Sequence, residues 1–113
     1  MNECTWLKEF SAAISICDKQ GVLLDMNDAA EIVFEEDGGR ELLGRNILDC
    51  HPEPARSKLA HIMDAQEVNV YTIEKNGKKK LIYQAPWYKE GEFAGFVEFS
   101  VDIPFNLPHF IRS

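Results

Sequence analysis

A chain of 113 residues, 45% of them hydrophobic, has room for one domain with a single core that removes roughly two thirds of its unfolded surface from water, and it has no apolar run as long as a membrane span. Its net charge of −7 argues against a general binder of the nucleic-acid backbone, which needs a basic face. Cys4, Cys17 and Cys50 are odd in number and lack CxxC spacing, so they indicate neither a disulfide framework nor a structural zinc site; with no basic-then-apolar leader, the expectation is a cytoplasmic protein with reduced thiols.

Residues 1–13 predict a short amphipathic N-terminal helix, because Trp6, Leu7 and Phe10 lie at helical spacing with Lys8 and Glu9 off that face. So short an element carries more aromatic area than it buries alone, which makes Trp6 and Phe10 candidates for a dimer contact. Two short strands follow, Ile14 to Cys17 and Val22 to Met26, around the turn Asp18-Lys19-Gln20-Gly21. Asn27 is placed to cap a helix running to about Phe34, its side chain accepting from the amide of Ala30. The acidic run Glu35 to Asp37 reads as a solvated loop, since no His or Cys lies near it. Arg40 to Leu43 can make one helical turn stopped by Gly44. Asp49 to Pro54 is a proline-stiffened link, and Pro54 then suits the first turn of a longer helix to about Ala65, with Leu59, Ile62 and Met63 as its buried stripe.

The last third of the chain predicts three long antiparallel strands. Val68 to Ile73 leads into Asn76-Gly77, the strongest short hairpin signal present, and Lys78 to Lys80 reads as its solvated tip. Lys80 to Trp87 returns, Lys89 to Glu92 forms a second turn, and from Gly95 the residues alternate. Val97, Phe99 and Val101 fall on one side, and Glu98, Ser100 and Asp102 on the other. The apolar set is expected to face the core. The fold class is therefore α+β: a five-stranded antiparallel sheet, with short helices and one longer helix inserted between the second and third strands. Residues 14–103 form the domain and 104–113 a tail. Helices gathered on one side of the sheet leave a space suited to a small ligand.

Several short motifs then occur in order. Asp18 with Gly21 matches a DxxG turn, Asn27 with Ala30 the start of a first helix, and Gly44-Arg45-Asn46 a GRN step ahead of a longer helix. Gly91-Glu92, Gly95 and Asp102-Ile103 match a closing GExxGxxxxxxDI pattern. Together they resemble a PAS domain over nearly the whole chain, and Cys50-His51-Pro52 resembles a step found in a bacterial subgroup. The resemblance implies a sensory or interaction module, usually dimeric, that can hold a cofactor between sheet and helices. Flavin photosensors of that family carry a cysteine directly after the GRN step. Here that position is Ile47, so flavin is not expected. Haem relatives use a histidine on or near the long helix, where His61 and His51 stand. Pro104 and Pro108 interrupt the helix by which many relatives connect to an output domain, and the ending suits either a stand-alone protein or a domain excised ahead of one.

Two readings follow. In one, a small apolar or amphipathic ligand sits in a pocket lined by Val70, Tyr83, Val97 and Phe99 from the sheet and by Phe34 and His61 from the helices. In the other, the core is filled and the domain works as a homodimer through Trp6, Phe10 and Phe96, passing its state to a signalling partner. No tightly held cofactor is expected. The alternative is a haem- or metal-binding redox or gas sensor using His61, or Cys50 with His51. Cys50, His51 and Glu53 are too close in sequence to form a nucleophile–base pair, and no phosphate loop accompanies them, so an enzyme is not expected.

Overall fold

The structure, a computed structural model, describes residues 4–113. Its helices are α1 (Thr5–Lys8), α2 (Asp28–Val33) and α3 (Ala55–Ala65), and its strands are β1 (Ala13–Asp18), β2 (Leu23–Met26), β3 (Asn69–Lys75), β4 (Lys78–Lys89) and β5 (Glu92–Ile103). Three 3₁₀ turns, Glu35–Asp37, Gly39–Leu42 and Ile47–Cys50, connect α2 to α3. The strands form one antiparallel sheet in the order β2-β1-β5-β4-β3. The expected α+β architecture is thus present, with α2 and α3 between the second and third strands.

Local chemistry explains each join. Asp18 Oδ1 accepts from the amides of Gln20 and Val22, both at 2.9 Å, closing the β1–β2 turn. Gly21 there adopts φ +91, and a Cβ on it would press on Asn46 Oδ1 at 2.9 Å. Asn46 in turn caps the turn at Ile47 by accepting from Leu48 N and donates to Gln20 O, both at 2.9 Å. The Gly44-Arg45-Asn46 step is therefore sewn along the free edge of β2 by backbone bonds from Gly44 N to Leu23 O and from Leu23 N to Arg45 O. Asn76-Gly77 and Glu90-Gly91 make the two hairpin turns with positive φ at both central residues, as type I′ geometry requires.

Asn27 ties three segments together. Only 1% exposed, it accepts at Oδ1 from Ile14 N and Ala30 N, both at 3.0 Å, and donates through Nδ2 to Ala12 O at 2.8 Å and Leu7 O at 3.1 Å. This corrects the N-terminal expectation within the described residues. The helix ends at Lys8 rather than Ala13, because Asn27 takes up the Leu7 and Ala12 carbonyls and β1 begins at Ala13. Arg40 fixes the other side of α2 through ion pairs to Asp28 (2.6 Å) and Glu31 and a bond to Met26 O.

Two apolar clusters lie between helices and sheet. One gathers Ala13, Leu23, Met26, Ala30 and Leu42. The other packs the α3 stripe Leu59, Ile62 and Met63 onto Cys17 and Phe96, each fully buried aliphatic side chain contributing about 1.5–3 kcal/mol. The register shows which sheet face they cover. Ser15, Glu98, Gln84 and Asn69 form one cross-strand row, while Ile14, Phe99, Tyr83 and Val70 form the next, and adjacent rows point to opposite faces. Phe96, two residues before Glu98, packs under α3. The Glu98 set therefore faces the helices, and the Val97–Phe99–Val101 set faces away.

That reverses the expected sense of β5. Alternation separates the two sets but leaves open which one points inward. The inner set is mixed, with Phe96, Cys17, Ala13 and Ile82 beside Gln84, Glu98 and Ser100, so polarity alone favoured the wrong set. Residues 104–113 follow Ile103 without helix or regular strand, and expose Phe105, Leu107, Phe110 and Ile111.

Candidate functional site

A cavity of about 200 Å³ lies between the sheet and the segment joining α2 to α3. Its floor is Ser15, Cys17, Gln84, Phe96 and Glu98 on β1, β4 and β5; its walls are Phe34, Leu42, Ile47 and His51 with Leu59 of α3. Exposed Asp37 and Arg45, opposite in sign, also line it.

The floor carries an ordered polar row. Asn69 Nδ2 donates to Gln84 Oε1 at 2.9 Å, and Gln84 Nε2 donates to Glu98 Oε1 at 2.7 Å. The direction follows from the carboxylate. An ionised Glu98 only accepts, so Gln84 must turn its NH₂ toward it, which turns the Gln84 carbonyl toward Asn69. Glu98 has no ion-pair partner among the described residues; Lys78 and Lys80 both pair with Asp102. Its charge is felt across the same face. Tyr71, two residues along β3 from Asn69, has its phenol pushed above the usual range by burial and secondarily by Glu98. Burial likewise pushes the Cys17 thiol up, although its bond with the Phe96 backbone works against this.

The wall adds one directional group. His51 Nδ1 stands 2.7 Å from Ile47 O. A carbonyl only accepts, so Nδ1 carries a proton, and in the neutral form of the ring Nε2 is the acceptor. The Ile47–Cys50 turn, capped by Asn46, places the ring here. A second, more open cavity of about 480 Å³ lies between α2 and β3–β4 and shares Ser15, Phe34 and Glu98 with the first. Phe34, at the end of α2, thus stands between two compartments.

The expected site residues divide clearly. Phe34 lines the cavity as expected, and Val97 lines it between Phe96 and Glu98, though its register with Ile16 and Ala85 puts its side chain on the outer face. Val70, Tyr83 and Phe99 belong to the outer row and are corrected to that face; Val70 is 51% and Tyr83 42% exposed. His61 is exposed, because the Leu59, Ile62 and Met63 stripe turns the opposite side of α3 inward. Phe96, expected at a dimer surface, is only 4% exposed and packs under α3. Trp6 and Phe10 are exposed and meet edge to face at 6.3 Å. Cys50 is exposed while His51 is half-buried, and among the described residues no group of three His, Cys, Asp or Glu side chains is placed to hold a metal.

Sequence reasoning missed Ser15, Gln84 and Glu98. One signal was available: extending the β5 alternation back to Phe96 places an aromatic in the same set as Glu98.

No protein-family model matches the chain, and no curated protein matches it in sequence. Solved structures do match. A C-terminal domain from Streptococcus mutans superposes with a TM-score of 0.72 at 22% identity, over 88% of this chain and 81% of that one. The PAS domain of BvgS from Bordetella pertussis gives 0.68 at 17% identity, over 93% and 86%. The Aer2 receptor from Vibrio cholerae, described as a dual PAS-heme oxygen sensor, gives 0.62 at 20%, over 82% and 95%. At these identities the likeness is one of fold.

Proposed function

We propose, for a chain that has the PAS fold, that it is a sensory signal-transduction module whose input is a small molecule held between sheet and helices. The observation that carries this reading is the cavity itself. It combines apolar walls from Phe34, Leu42, Ile47 and Leu59 with a few directed polar groups on its floor, the usual make-up of a ligand site. The 3₁₀ turns that wall it are joined to β2 by backbone bonds, so a ligand pressing on Ile47 or His51 reaches the sheet directly. A cytoplasmic setting and a separate output protein complete the reading. No helix among the described residues is long and apolar enough to cross a membrane.

Haem does not fit these residues. His61 points to solvent, and the cavity that His51 lines is below the roughly 300–1,000 Å³ of sites for drug-sized ligands, while a porphyrin is larger than most such ligands. The test is the near-ultraviolet and visible spectrum of freshly purified protein, followed by native mass spectrometry. The reading predicts no Soret or flavin band, and either a co-purified organic adduct or binding by small amphipathic probes. A Soret band lost in His51→Ala would contradict it.

A second reading, dimerisation, is favoured by exposed aromatics away from the cavity. Trp6 is 68% exposed, and the Val70–Tyr83 row leaves an apolar strip on the outer face. Sedimentation at tens of micromolar is expected to show a dimer that Trp6→Ala with Phe10→Ala dissociates. A monomer throughout that range would exclude this reading without touching the first.

A further inference from the structure

The polar row on the cavity floor has a definite electrical sense. Glu98 Oε1 is occupied by Gln84 Nε2 at 2.7 Å, and Oε2 makes no bond among the described residues. No buried side-chain oxygen or nitrogen is left unpartnered, so Oε2 has open space; Glu98 lines this cavity and also the second one, where Lys78 and Lys80 are paired with Asp102 and Lys75 stands at the rim. Across from the floor, the His51 ring, fixed through Nδ1 to Ile47 O, offers only an acceptor at Nε2 in its neutral form. Ser15, level with Glu98 on β1, can accept as well. The polar groups lining the cavity therefore include one carboxylate without an ion-pair partner among the described residues and two further acceptors. The only cation in the lining, Arg45, is exposed and shares the lining with the oppositely charged Asp37, where solvent screens it.

From this we infer that the cavity selects a small organic cation, a primary amine or amidine on a compact apolar body. The charged head would donate to Glu98 Oε2, with Ser15 and His51 Nε2 as further acceptors, while the body lies against Phe34, Leu42 and Phe96. This rests on the reading of the cavity as the sensory site and adds the class of ligand. Physical chemistry favours the match. A carboxylate facing an apolar space gains most from a charge-assisted donor, and an anionic ligand would meet Glu98 with like charge in a poorly solvated space. The small volume limits the body to about one ring or a short branched chain.

Three probes of matched shape test this: phenethylamine, phenethyl alcohol and phenylacetate, titrated calorimetrically into the whole chain at pH 7.5. A second series uses Glu98→Gln, which keeps the size and an acceptor for Gln84. The expected order is amine, alcohol, acid, with about tenfold between the first two, as a charge-assisted bond gives. In Glu98→Gln the amine is expected to lose its tenfold advantage and fall to the level at which the alcohol binds the same variant. Alcohol and acid binding at or above the level of the amine would overturn the cationic preference while leaving the cavity a binding site. An amine preference that survives in Glu98→Gln would place the selectivity elsewhere and overturn the assignment to Glu98. No binding of any of the three up to millimolar concentration would overturn the sensory-site reading and this inference together.

Discussion

Gln84 hands the orientation of Glu98 across the sheet to Asn69: its Nε2 lies 2.7 Å from Glu98 Oε1 and its Oε1 2.9 Å from Asn69 Nδ2. One amide, held in one orientation by a carboxylate, sets the hydrogen-bond sense of three neighbouring strands. Gln84→Leu would leave a donor on Asn69 and an acceptor on Glu98 without partners, at a cost of about 1–3 kcal/mol, read as a lower urea midpoint with an unchanged slope. Gln84→Glu is the sharper test. It sets two carboxylates against each other, so the variant should be least stable at neutral pH and recover relative to wild type as the solution is acidified. Equal losses at both pH values would contradict the placing of residue 84 against an ionised Glu98.

Asn27 concentrates more of the fold than any other buried polar residue described above. Asn27→Ala would orphan the amides of Ile14 and Ala30 and the carbonyl of Ala12 in a dry core, and is expected to cost about 3 kcal/mol or more. Asn27→Asp retains the acceptor but loses both donors, and it introduces a buried charge. It should be no better than Ala. Chemical denaturation of both variants measures this, and an Asp variant within about 0.5 kcal/mol of wild type would show that the bonds to Leu7 and Ala12 carry little.

At Gly95 the backbone leaves no room for a side chain. A Cβ there would lie 1.9 Å from the Cys17 carbonyl oxygen, at φ +151, the same oxygen that accepts from Trp87 Nε1 at 3.0 Å. Gly95→Ala must push β5 away from β1, at a cost of more than about 3 kcal/mol. Loss of folded expression, or a collapse of Trp87 fluorescence changes on unfolding, is expected. Gly77, around whose Cβ position nothing lies within 4 Å, is the control: alanine there meets only the backbone preference for φ +75 and should be far milder.

Glu53 closes the start of α3 by accepting from Ser57 N at 2.8 Å and from Ser57 Oγ at 2.6 Å. Those bonds hold its carboxyl below the usual range. A depressed carboxyl contributes stability that is present above its unfolded pKa and is lost as the pH falls through its folded pKa. The first turn of α3 should therefore fray on acidification, seen as faster amide exchange at Ser57 and Lys58. In Glu53→Gln this local pH dependence is expected to vanish. Exchange that is pH-corrected and identical in both proteins would remove the cap from the account.

The turns and caps were legible because each rests on a residue with few substitutes. Asp18 and Gly21 close a turn that needs a side-chain acceptor and a positive φ, Asn27 caps α2, and Asn76-Gly77 and Gly91 turn the hairpins. The α3 stripe was legible from its helical period. The inner face of the sheet was not. β5 offers two alternating sets, and the more apolar one lies outside, since the inward set must both pack under α3 at Phe96 and leave a polar floor at Glu98. His61 was misplaced for a related reason: one residue from Ile62, its direction depends on the phase of the helix, which Leu59 and Met63 fix only when read together. The space between sheet and helices was thus expected, and Phe34 in its wall, while its polar floor of Ser15, Gln84 and Glu98 was not.

The central claim is that the space between the sheet and the α2–α3 segment, and not the outer face, receives the signal. Amide correlation spectra recorded during titration with small amphipathic probes address it residue by residue. The account predicts that probes which bind will shift Ser15, Phe34, Ile47, His51, Gln84 and Glu98, and leave Val70, Tyr83 and Phe99 in place. Shifts confined to the Val70–Tyr83–Phe99 row, with the cavity amides unmoved at saturation, would contradict it.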